Sequence, residues 1–85
     1  MDNCMYFCPA RFRIDILWEP LREVPYWRRQ ALALFAHELV HAYQWLVVCR
    51  RDVLRWNELG DAERLPDRVQ DIVLWMLGCG NLVRG

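Results

Sequence analysis

YWRRQALALFAHELVHAYQWLVVCRR, residues 26–51, runs for 26 residues with neither glycine nor proline. Its alanines, leucines, glutamate and glutamines all favour helix. Pro25 stands just ahead of it, where a missing amide proton costs nothing, and Arg50 and Arg51 suit a C-terminal end. The spacing predicts one long helix over about 25–51. The stretch is apolar nearly all round, the pattern of a helix buried between other elements.

The chemistry lies at its centre. His37 and His41 are the only histidines in the chain, four residues apart, and Glu38 follows the first. Each helical residue advances about 100°, so positions four apart share a face and two imidazoles can aim at one point. Tetrahedral zinc requires such a convergence, with nitrogens ~2.0–2.1 Å from the ion. Glu38 lies at the edge of that face, about 60° from His41. It is short for a ligand but within reach of a water at the metal, the position of a general base. Shuffling this composition yields the complete pattern roughly once in 700 trials. The alternative is a pair of core histidines bonded to neighbours, with Glu38 solvated.

Two histidines leave zinc short of a protein ligand. The candidate acids downstream are Glu58, Asp61, Glu63, Asp67 and Asp71. A second helix is predicted over about 66–77, stopped by Gly78, after a connection of about ten residues turning at Gly60 and Asp61. Packed antiparallel, it would offer Asp67 and Asp71, one turn apart, to the histidines. Asp67 is the preferred third ligand, with Glu63 and Asp71 as alternatives. Acids near a helix start are also ordinary partners of the helix dipole.

The remaining sequence narrows the field by exclusion. All 11 basic residues are arginine, and lysine, serine and threonine are absent. That rules out hydroxyl nucleophiles, lysine Schiff bases and a phosphate loop ending in Lys-Ser/Thr. Eleven acids balance the arginines, so no electrostatic case exists for nucleic acid. Acids and arginines interrupt the N-terminal stretch as a signal peptide would not allow. With no uninterrupted apolar run of ~20 residues, neither a membrane partner nor a secretion route is expected, and the location expected is cytoplasmic. Cys4, Cys8, Cys49 and Cys79 read as reduced thiols rather than as a disulfide framework. FRIDIL, residues 12–17, alternates like a strand with Phe12, Ile14 and Ile16 inward. No second strand is evident, and residues 1–10 read as irregular. The outline is a single small domain over 1–85, mainly α, with at most a short N-terminal strand. A chain this short buries only ~60% of its unfolded surface. Its 55% apolar content and five tryptophans therefore call for self-association or another partner.

At HELVHAYQ, residues 37–44, the chain resembles the zincin metallopeptidases, whose active-site helix carries HExxH. SprT-like (Spartan-type) proteases have a similar His-Glu-apolar-apolar-His-Ala-Tyr run, matched by residues 37–43. Their third ligand is a further histidine, which this chain lacks. Small phage and mobile-element peptidases of the ImmA/IrrE and gluzincin type use an acid on the following helix instead. DRVQD, residues 67–71, stands there, with Asp67 in the ligand's place and Gln70 where alanine is usual. The resemblance covers about residues 28–75, and HExxH is its only specific motif. It implies a minimal zincin-like fold, a zinc ion held by His37 and His41, and peptide hydrolysis by a metal-bound water with Glu38 as base. It also implies a peptide or protein substrate held along the edge of a β-sheet in front of the helix. The rival expectation is a helical interaction module, zinc-binding or metal-free, without catalysis.

Overall fold

The structure, a computed structural model, describes residues 4–83. A hairpin opens it: strand β1 (Met5–Cys8), a 3-10 turn (Pro9–Arg11) and strand β2 (Arg13–Ile16). The helices are α1 (Trp18–Arg22), α2 (Trp27–Tyr43), α3 (Val53–Glu58) and α4 (Arg64–Met76), and a 3-10 turn at Gly80–Leu82 follows. The fold is mainly helical, as the sequence implied, but the described residues hold two strands rather than at most one.

The strand read from FRIDIL is β2, with Ile14 and Ile16 packed inward. Its partner lies in the stretch expected to be irregular. MYFC has no apolar–polar alternation to announce it, and only pairing with β2 makes it a strand. The two are antiparallel, with Met5 opposite Ile16 and Phe7 opposite Ile14. Phe12 belongs to the turn instead of the buried face. It takes a left-handed conformation, φ 47°, and is exposed.

α2 departs from the expected single helix over 25–51. It gives way to a π-helical turn over Gln44–Val48, where the Cys49 amide reaches back to the Gln44 carbonyl at 2.8 Å. Arg50 and Arg51 then both adopt left-handed backbone, φ 51° and 60°. Each such residue costs roughly 1–2 kcal/mol. The distortion turns the chain back so that Trp45, buried, meets Trp56 of α3 edge to face at 5.5 Å. The predicted connection therefore contains a helix, α3, capped by Asp52, whose carboxylate accepts from the Leu54 amide at 2.9 Å. α1 includes Pro20 at its third position, within the first turn, where a missing amide proton is tolerated.

α4 matches the second predicted helix, begins two residues earlier, and ends before Gly78, which adopts φ 78° as a stop. It runs antiparallel to α2. Contacts pair Arg29 with Cys79, Ala33 with Leu74, His37 with Gln70 and His41 with Glu63. Ala33, Leu74 and Cys79 form the buried seam, while Cys4, Met5, Leu21 and Leu34 form a second cluster beneath the hairpin. Leu74 is 2% exposed. Leu74→Ala is expected to cost about 2–5 kcal/mol in urea unfolding, by lost transfer energy plus a cavity. A loss below about 1 kcal/mol would mean that α2 and α4 are not packed on each other through this seam.

One further expectation is corrected. α2 is not buried all round. Gln30, His37, Glu38 and His41 are buried on its inner side, whereas Leu32, Phe35, Leu39 and Tyr43 are exposed on the outer one. The hairpin and α4 cover one side, and among the described residues these four side chains stay exposed on the other. By length and composition the helix over Trp27–Val48 could cross a membrane, a test that the core helix of a small protein also passes.

Candidate metal centre

The inner face of α2 carries both imidazoles into a cleft of about 440 Å³ between β1, α3 and the start of α4. Their ring centroids are 5.0 Å apart. The two Nε2 atoms face one carboxylate: Glu63 lies 2.9 Å from His37 by Oε2 and 2.9 Å from His41 by Oε1. Glu63 sits at the N-cap of α4, directly after the turn containing Gly60 and Asp61. The antiparallel path of α4 is what brings that acid over the histidines.

The opposite ring nitrogens are held from behind. His41 Nδ1 lies 2.9 Å from Gln44 Oε1, and Gln44 Nε2 donates to the Ala62 carbonyl at 3.0 Å. The second bond fixes which way the Gln44 amide faces, so His41 must present a proton at Nδ1. His37 Nδ1 lies 2.9 Å from Gln70 Oε1 and 3.3 Å from Asp67 Oδ1. An acceptor there also calls for a proton. Both glutamines are buried. In the neutral histidines the lone pairs are then at Nε2, aimed at a carboxylate. Lone pairs converging on lone pairs repel unless a cation or protons lie between them. The donor set of two nitrogens and a carboxylate suits a divalent metal.

His37, Glu38 and His41, all buried, offer ligand atoms within 4.8 Å of one another, and so do His37, Glu63 and Asp67. The cluster thus has the donors to hold a metal ion. Glu38 Oε2 lies 3.7 Å from His37 Nε2, while its Oε1 accepts the Phe7 amide of β1 at 2.9 Å. Burial raises the pKa of Glu38. His37, the Phe7 amide and His41 pull it back down, and Glu63 pushes it up.

The structure brings His37, His41, Glu38, Glu63 and Asp67 to one cleft but gives the acids different stations. Glu63 faces Nε2 of both histidines, Asp67 approaches His37 from the Nδ1 side, and Asp71 is one turn further along α4, outside the cleft lining. The sequence reading passed over Gln70 and Trp56. Gln70 stood out only as a departure from the pattern in DRVQD. Trp56 closes the cleft edge to face with His41 at 6.2 Å and with Phe7 at 6.1 Å. Gln44, three residues beyond His41, had a readable signal in its i,i+3 spacing.

Holding the rings from behind has a measurable effect. Gln44→Ala is expected to weaken metal affinity by roughly 10- to 100-fold, the usual cost of losing a hydrogen-bond partner to a ligating histidine. Competition with a fluorescent zinc chelator would measure it. An unchanged affinity would mean that Gln44 does not orient His41.

No protein-family model, curated protein or solved structure matches this chain. The functional reading therefore stands on the geometry of the site.

Proposed function

We propose that the protein is a minimal zinc-dependent metallopeptidase, with His37, His41 and Glu63 as metal ligands and Glu38 as general base. The observation that carries this is the convergence of both Nε2 atoms on the Glu63 carboxylate, with Glu38 beside them in an open cleft. A zinc ion held by these three residues would supply a more acidic water and a Lewis acid for the substrate carbonyl. Glu38 takes the proton from the attacking water and passes it to the leaving amine. Gln44 and Gln70 keep Nε2 of each histidine turned to the metal.

The choice of Glu63 over Asp67 rests on which ring nitrogen each acid meets. Asp67, on the Nδ1 side of His37, serves in this reading as an orienting carboxylate. Metal content and affinity of Glu63→Ala and Asp67→Ala decide between them. Glu63→Ala is expected to lose zinc under conditions where Asp67→Ala keeps it with about 10- to 100-fold weaker affinity. The reverse order would make Asp67 the ligand. Cleavage of fluorescein-labelled casein by zinc-loaded wild type, absent after chelation, tests the activity itself.

A second reading is a non-catalytic association module. The observation that favours it is the exposed apolar stripe of Leu32, Phe35, Leu39 and Tyr43 on α2. A folded wild type that takes up no zinc but forms dimers in sedimentation would establish it.

A further inference from the structure

The hydrogen bond from Phe7 to Glu38 joins the cleft's backbone wall to the residue assigned as base. In an antiparallel ladder, opposed residues alternate between bonded and non-bonded pairs. The Leu17 amide donates to the Cys4 carbonyl at 2.7 Å, which marks that pair as bonded. Following the register, Tyr6–Asp15 and Cys8–Arg13 are bonded pairs too. Met5–Ile16 and Phe7–Ile14 are not, so Met5 and Phe7 turn their amides and carbonyls away from β2. The Phe7 amide accordingly points outward, and what it meets is Glu38 Oε1 at 2.9 Å. Both residues line the cleft that holds the histidines. An extended peptide laid along this edge would add a third strand and require the same outward groups.

We propose that the Phe7 amide is a shared donor: it holds the Glu38 carboxylate when no peptide is bound, and passes to a backbone carbonyl of an extended peptide on β1. The transfer releases Oε1 of the base only when substrate is in place. Substrate entry and release of the base become one event. This step rests on the metallopeptidase reading. The contact from which it starts can be tested without that reading.

The test is amide hydrogen exchange by NMR. In metal-free protein, the Phe7 amide should exchange about tenfold more slowly in wild type and Glu38→Gln, which both keep an acceptor oxygen, than in Glu38→Ala. The Tyr6 and Cys8 amides, bonded to β2, should stay protected in all three and report an intact hairpin. Zinc and a tripeptide hydroxamate added to Glu38→Ala should restore protection at Phe7, because a peptide carbonyl takes the donor. Equal Phe7 exchange in wild type and Glu38→Ala, with the hairpin intact, overturns the shared donor. Hydroxamate that binds the zinc form yet leaves Phe7 exchange fast overturns the transfer while sparing the metallopeptidase reading. If no zinc binds at all, that reading fails and the transfer falls with it. In that case the metal-free comparison still judges the Phe7–Glu38 contact.

Discussion

Zinc is expected to bind tag-free wild type at about one ion per chain, and His41→Ala is expected to abolish that binding. His41 contributes one of only two imidazoles, and its Nε2 is one of the three groups that converge at the site. Removing it leaves His37 as the single nitrogen, with Glu63 and Asp67 as acids beside it, a poorer donor set for zinc than two imidazoles and a carboxylate. The loss should also show in stability. At a free zinc concentration 100 times Kd, binding stabilises the folded state by about 2.7 kcal/mol. In a domain of this size that raises Tm by roughly 10–20 °C. A thermal melt with and without chelator should therefore separate strongly for wild type and coincide for His41→Ala. Plasma mass spectrometry gives the stoichiometry. A folded wild type that takes up no zinc would end the metalloenzyme proposal.

The second large effect is on turnover. Glu38→Gln is expected to lower kcat for peptide hydrolysis by roughly 100- to 10,000-fold, the usual contribution of a positioned base. Its metal content should be unchanged, because the ligands are untouched. Glutamine keeps an acceptor for the Phe7 amide, so the wall of the cleft should hold its shape, but an amide cannot take the proton. Full activity in this variant would remove Glu38 from the chemistry.

The same substitution has a pH signature in the metal-free protein. Burial raises Glu38 above the ordinary glutamate value of 4.5. The folded state therefore binds its proton more tightly than the unfolded state does. Wild type should lose stability as pH climbs through 4.5 and beyond, until the raised folded value is passed. Glutamine carries no such charge. Melts in chelator should show Glu38→Gln gaining on wild type over the pH range above 4.5. A constant difference across that range would mean that Glu38 is not destabilised by burial.

How far the sequence alone reaches varies with the residue. That His37 and His41 share a face, with Glu38 beside them, follows from helical geometry acting over five residues, and HELVH states it outright. The helices about α2 and α4, the Gly78 stop and β2 were legible for the same reason, since propensity and periodicity are local. β1 was not, because Met5–Cys8 becomes a strand only through the hydrogen bonds of β2. Nor was the break in α2 at Gln44, where the packing of Trp45 on Trp56 goes with a π-helical turn inside a run of good helix formers.

The identity of the acid opposite the histidines belongs wholly to tertiary structure. Asp67 was preferred for its place on the second helix, but a helix fixes only which residues share its faces. Its offset along a neighbour is set by the connection. Here α3 and the turn at Gly60 and Asp61 use up that connection, so α4 starts beside His41 and Glu63, at its N-cap, meets both Nε2 atoms. The ring nitrogens free to take a metal were decided the same way, by Gln44 and Gln70 reaching Nδ1 from behind. Helical geometry alone puts two imidazoles and a carboxylate together on one helix. The fold decided what faces them, because contacts between distant segments depend on the path of the chain and not on its local periodicity.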